Sequence, residues 1–278
     1  MKKLLCLTIL ICFHSTMALP KEKLIAVTLE YPPFNYTDKK LKMVTGASAE
    51  LFRQIFSDMG YELAVRSLPW KRSQAMIKSG EAHIIFTYTR NKERQLNAHY
   101  SNPVSTISTI IIKLKSSKAP SSWKITADIR PYRIGVVAGY NYPGGFKEKI
   151  ANNYFPHVDS ITTKGATKQN LIKLFRGRID YFLCPTDCIF EIGGLPKEKK
   201  ALIHKLEKPI GEERTFHIGF SKSVPGWNGL EIRNSFNSIF NRYLKEGKVQ
   251  RIYNKYAMNV NYEMLGEKLK VDWDSTLD

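Results

Sequence analysis

Acidic side chains are in short supply in this chain: 25 Asp and Glu stand against 43 Lys and Arg, a formal net charge of +18. The basic residues are spread along the sequence without forming an arm or a stripe. A nucleic-acid partner is therefore not expected, and solvated surface or attraction to anionic ligands is the plainer reading. Histidine is thin and scattered, and His83, His99, His157, His204 and His217 never fall at zinc-ligand spacing, so neither a metal nor a cofactor is expected. No Gly-x-Ser-x-Gly nucleophile turn, internal repeat or low-complexity linker is present. Long apolar runs are also missing, apart from Leu4 to Phe13, which is too short to span a bilayer.

That single run follows Lys2-Lys3 and ends at Ser15-Thr16-Met17-Ala18, which places small residues where a signal peptidase reads. Residues 1–18 are expected to be a secretory signal peptide cleaved after Ala18, delivering the chain to the periplasm. Lipid attachment at Cys12 is disfavoured because Ile11, not a small residue, precedes it. Of the four cysteines, Cys184 and Cys188 lie beyond the leader. An oxidising compartment permits a bond between them, although the loop it closes is very small, and two buried free thiols are the alternative.

Beyond the leader, short β-runs alternate with helical patterns in two series. Leu24 to Thr28 reads as a strand. Leu51, Phe52, Ile55, Phe56 and Met59 recur at helical spacing behind Ser48 as N-cap, with Gly60 as the stop. Tyr61 to Ser67 is extended, Pro69 opens a helix running to Gly80, and Ala82 to Thr87 is a buried strand. The second series starts near Ile110, with strands at Arg133 to Val137, His157 to Thr162, Ile179 to Leu183, Leu202 to Leu206 and Phe216 to Phe220. Helices are expected from near Pro143, over Lys168 to Arg176, and on the apolar face made by Phe236, Ile239, Phe240, Tyr243 and Leu244. Alternation of this kind means α/β architecture with largely parallel sheets, and two series mean two lobes.

Six stretches in this order carry a resemblance. They are Tyr31-Pro32-Pro33-Phe34; Trp70 with Gly80 ten residues on; Thr87 through Arg94 leading to Tyr100-Ser101-Asn102-Pro103; Ile134 through Gly139; Gly177-Arg178-Ile179-Asp180; and Gly247 through Tyr256. Together, over Leu24 to Tyr256, they are similar to the extracellular solute-binding proteins of family 3, the polar amino-acid-binding class that serves ABC importers. The resemblance implies a type II periplasmic-binding-protein fold: two mixed, mostly parallel sheets joined by a two-strand hinge. The lobes are expected as 19–108 with 218–258 and as 109–217, with 259–278 as a tail and the crossings near Thr106 to Ile112 and Pro209 to His217. It further implies a monomeric, non-enzymatic binding protein and an inner-membrane ABC permease as partner.

Site residues follow from the same resemblance. Arg94 matches the arginine that pairs bidentately with a ligand carboxylate, a task for which a planar, permanently charged fork is suited. Thr87 and Thr89 match the first-lobe strand end, and strand ends in α/β sheets face the crevice. Tyr31 and Trp70 match the pair that sandwiches the ligand's side chain, and Phe34 is assigned to the core. Tyr140, Asn141 and Tyr142 follow Gly139 in the second-lobe loop. The family's second-lobe aspartate, eight residues beyond Gly177, is replaced here by Pro185. An ammonium anchor would then fall to Asp187 or Glu30, or the ligand is a carboxylate lacking the amino group; Asp180 is assigned a structural role. Relatives of this fold include a dehydratase, so an enzyme of the cyclohexadienyl dehydratase kind and a sensor without transport are the alternatives.

Overall fold

The computed structural model describes residues 21–256 and 258. The expected leader, 1–18, and the tail, 259–278, lie outside the described residues. The first series gives β1 (Glu22–Thr28), β2 (Tyr36–Asp38), β3 (Met43–Thr45), α1 (Ala47–Asp58), β4 (Tyr61–Ser67), α2 (Trp70–Ser79), β5 (Ile84–Tyr88), α3 (Lys92–Gln95), β6 (Ala98–Tyr100) and β7 (Ser105–Ile107). The second gives β8 (Thr109–Leu114), β9 (Ile134–Val137), α4 (Phe146–Ala151), β10 (Val158–Ile161), α5 (Ala166–Phe175), β11 (Tyr181–Pro185), α6 (Thr186–Gly193), α7 (Lys197–Ala201) and β12 (Ile203–Lys205). The chain then returns through β13 (Arg214–Ser221) to α8 (Gly229–Lys245) and α9 (Lys248–Lys255).

The first lobe is built on a six-stranded sheet of order β4-β1-β5-β13-β6, with β7 paired to β13. Every residue of β5 is buried, as a strand covered by helices on both faces must be. Across α1, Phe52 and Phe56 each pack against Phe236 of α8 with ring centroids 5.7 Å apart. That contact docks the returning segment onto the first lobe. The second lobe holds a five-stranded sheet of order β10-β9-β11-β8-β12. Side chains alternate across its central strand: Tyr181 and Leu183 enter one core layer with Phe146 and Phe155, while Phe182 and Cys184 enter the other with Leu171 and Leu174.

Parallel pairing is confined to β4-β1-β5 and to β10-β9-β11; β13 and β8 run antiparallel to their neighbours. Alternation with helices shows only the parallel part. The reversed strands are those that carry the chain between lobes, where no crossover helix intervenes. The connectors run side by side: Arg214, Thr215 and Phe216 pair with Ile107, Thr106 and Ser105, and the Ile210 amide donates to the Thr109 carbonyl at 2.8 Å.

Ser48 is not the cap of α1. That position belongs to Gly46, at φ 113°, where a Cβ would come within 2.5 Å of the Phe34 carbonyl oxygen. The close approach of the Tyr31 to Phe34 loop takes the place of a capping side chain.

Candidate ligand-binding cleft

The carboxyl ends of β5 and β9 meet across the gap between the lobes, the place where open α/β sheets hold ligands. A cleft there spans about 370 Å³ of space between protein atoms, the part open to solvent included. Tyr31, Trp70, Thr87, Thr89 and Arg94 line it from the first lobe, and Tyr140, Asn141, Tyr142 and Pro185 from the second. Thr109, Arg214 and Phe216 close it along the connectors. Eight of the nine residues named from sequence thus line one cavity; Asp187 is not among them. Phe34 is in the core, 3% exposed.

Arg94 is 5% exposed and its guanidinium is almost fully engaged by the protein. Asn91 caps α3, its Oδ1 accepting the Arg94 amide at 2.8 Å, which fixes the start of the side chain. Nη1 donates to the Thr89 carbonyl and hydroxyl at 2.9 and 2.7 Å, Nε to Gln74 Oε1 at 3.3 Å, and Nη2 to the carbonyl of Gly139 in the opposite lobe at 2.9 Å. The ring faces of Tyr88 and Trp70 lie 4.7 and 5.5 Å from the guanidinium carbon. Burial lowers its pKa from the ordinary arginine value, with the neighbouring tyrosines acting the other way.

Gly139 is the meeting point of the lobes. Its carbonyl also accepts Trp70 Nε1 at 3.0 Å. Its φ is +78°, a left-handed conformation that favours glycine, and an added Cβ would lie 2.9 Å from Gln74 Nε2, the movable end of that side chain. Thr87 is conformationally unusual: a β-branched residue at φ 62°, its hydroxyl held by Asn35 Oδ1 at 2.6 Å. Strain of this kind is kept where surrounding contacts enforce it, often at a functional strand end.

Arg214 was not singled out from sequence. It opens β13 beside the connectors, lines the cavity, and donates through Nη1 to the Asn141 carbonyl. Its buried Nε has no acceptor among the described residues. Burial, aided by repulsion from Arg94, brings its pKa down to about 10. The available signal was an arginine heading an apolar strand, Thr215 to Phe220, inside an expected lobe crossing.

Asp187 requires a correction. It is fully buried in the first turn of α6, behind the cavity wall that Pro185 forms, with Oδ2 accepting the Thr167 hydroxyl at 2.6 Å. Burial pushes its carboxyl up to about 7, against the pull of Thr167 and the Cys188 amide. Cys188 is disulfide-bonded to Cys184, with Cα atoms 5.4 Å apart, joining the end of β11 to α6. Glu30 also turns away. It accepts from Ser67 and Thr37 hydroxyls, both at 2.6 Å, and pairs across the lobes with Lys164 at 3.1 Å. Burial alone would raise its pKa, but these donors together lower it. Asp180 holds Arg133 through both carboxylate oxygens, at 2.7 and 3.0 Å, at the far end of β9 and β11 from the cleft. Among the described residues, no group of three or more His, Cys, Asp or Glu could hold a metal ion, and no helix is long and apolar enough to cross a membrane.

The sequence model of the bacterial extracellular solute-binding proteins, family 3, matches residues 24–259. Solved structures share the fold. The arginine-, lysine-, histidine-binding protein ArtJ from Geobacillus stearothermophilus is 18% identical with a TM-score of 0.72, over 88% of this chain and 100% of that one. An ABC uptake transporter substrate-binding protein from Streptococcus pneumoniae, with bound histidine, is 19% identical with a TM-score of 0.69, over 86% and 94%. An ancestral amino acid-binding protein, a precursor of cyclohexadienyl dehydratase, is 18% identical with a TM-score of 0.66, over 84% and 95%. At these identities the likeness is one of fold. No curated protein sequence matches the chain.

Proposed function

The chain belongs to the bacterial extracellular solute-binding proteins, family 3, and on that premise we propose that it works in the periplasm, capturing a small carboxylate-bearing solute of the polar amino-acid class for an ABC importer. The observation that carries this reading is Arg94: a buried cation lining the inter-lobe cavity, against the rings of Trp70 and Tyr88 and facing no carboxylate among the described residues. A ligand carboxylate can take over the Nη2 hydrogen bond now made to Gly139 and add the ion-pair attraction that a carbonyl lacks. Tyr31, Trp70 and Tyr140 supply flat apolar surface for the rest of the solute.

The lobes open about the paired connectors and close on the ligand as a monomer. Closing re-forms the bonds from Arg94 and Trp70 to Gly139 or replaces them through the ligand, and a permease reads the closed shape. Titration calorimetry and thermal-shift screening against amino acids and organic acids test the reading. A ligand at 100 times its Kd is expected to stabilise the protein by about 2.7 kcal/mol. Absence of any hit from a broad panel defeats it.

A second reading, turnover of a prephenate-like acid, draws on Asp187, whose carboxyl titrates near neutrality just behind the cavity wall. Product formation followed by NMR, lost in Asp187→Asn, would replace capture with catalysis.

A further inference from the structure

Among the described residues, the cavity is lined by two guanidinium groups, Arg94 and Arg214, and by no carboxylate. Both cations are spent on main-chain carbonyls of one second-lobe loop: Arg94 on Gly139 and Arg214 on Asn141. Those carbonyls are two residues apart, and two residues of chain span at most about 7 Å. The two cationic ends therefore reach toward one short stretch of loop. Carbonyl oxygens carry only a partial charge, so neither cation is neutralised by its partner.

Resting on the solute-capture reading, we propose that the ligand is a small organic acid with two carboxyl groups on a four- or five-carbon chain, one carboxyl held by Arg94 and the other by Arg214. Each carboxylate replaces a main-chain carbonyl with an ion-paired hydrogen bond, and the pair of them relieves the repulsion between the cations. A cationic or neutral side chain gains neither effect and brings a charge or dipole to a site already positive. An α-amino group is tolerated, since the Thr87 and Thr89 side chains line the same space, but among the described residues no acidic side chain lines the cavity to demand one.

Calorimetry with matched probes reads this directly: succinate, glutarate and L-glutamate against L-glutamine and 4-aminobutyrate, with L-arginine and L-lysine as basic probes. The two-carboxyl probes are expected to bind at least about 100-fold tighter than the one-carboxyl probes of equal length. In Arg214→Gln that preference shrinks to below about 10-fold, while Arg214→Lys, which keeps the charge, retains most of it. Circular dichroism of both variants ensures that a lost preference is not lost folding; were Arg214→Gln unfolded, the wild-type ranking and the lysine variant decide. Glutamine or the basic amino acids binding as tightly as the two-carboxyl probes overturns the proposal and leaves solute capture standing. No binding by any probe at millimolar concentration overturns both.

Discussion

The two walls of the cleft are made of different materials. The first lobe and its connector present side chains: two guanidinium groups, an indole, a phenol and two threonine hydroxyls. From the second lobe come main-chain carbonyls on a turn, with tyrosine rings beside them and an acid sealed behind. The interiors differ in the same direction. One aromatic-rich core joins most elements of the first lobe, whereas the second divides its apolar residues between two faces of a smaller sheet and adds a disulfide. A large core can hold a desolvated cation in place; a thin one presents backbone, whose geometry depends on the turn rather than on packing depth. On the proposed reading, charge recognition falls to the first-lobe side of the gap.

Removing the first-lobe charge is the hardest blow to recognition. Arg94→Met is expected to weaken ligand binding by about 100- to 1000-fold, the worth of a charge-assisted pair of hydrogen bonds, while the melting temperature stays within a few degrees. A large loss of stability together with intact binding would reverse the division of labour.

The second lobe is probed through pH. Asp187 keeps its proton up to about pH 7 in the folded chain but sheds it near its ordinary value of 3.8 when unfolded. The folded state then binds more protons between these limits, so this carboxyl makes stability fall as pH climbs from about 4 to 7 and adds no further slope above. The full effect is on the order of 4 kcal/mol. Urea unfolding at pH 4.5 and pH 8 should show the wild type losing more stability than Asp187→Asn, and equal losses would mean that the carboxyl is ionised in the fold.

Opening the disulfide is the next smaller effect. Replacing Cys184 and Cys188 by serine costs about 2 kcal/mol on the loop-entropy relation for so short a loop. Hydrogen exchange should localise the loss to β11 and α6; protection lost equally in both lobes would show a single cooperative unit. Smallest of all, Lys147→Met removes the exposed cross-lobe pair with Glu93, 3.1 Å apart. Binding should change by less than about fivefold, since exposed pairs contribute under about 1 kcal/mol.

Much of the architecture was legible because apolar spacing marks buried faces, and β1, β4, α2, β9 and α5 lie close to their expected spans. The hairpin of β2 and β3 escaped because its lysine-rich turn and six strand residues carry little apolar pattern. Helix α6 escaped because Pro185-Thr186-Asp187 reads as a turn, and the helix that starts there swings Asp187 inward beneath Thr167. At the cleft, side chains with a distinctive motif around them could be named, whereas the acceptors at Gly139 and Asn141 are backbone atoms that every residue possesses. Arg214 lay between these cases, a charged residue without a flanking motif, recognisable once β13 is seen to pass the cavity.

Strand β13 has one more consequence. Its hydrogen bonds to β5, β6 and β7 fasten Arg214 to the same body that carries Arg94. Parting the lobes would therefore take the Gly139 and Asn141 carbonyls from both cations in a single movement without pulling the cations away from each other. The spacing of the two cationic ends would then be a property of one body, set by the strand pairing and not by the degree of closure.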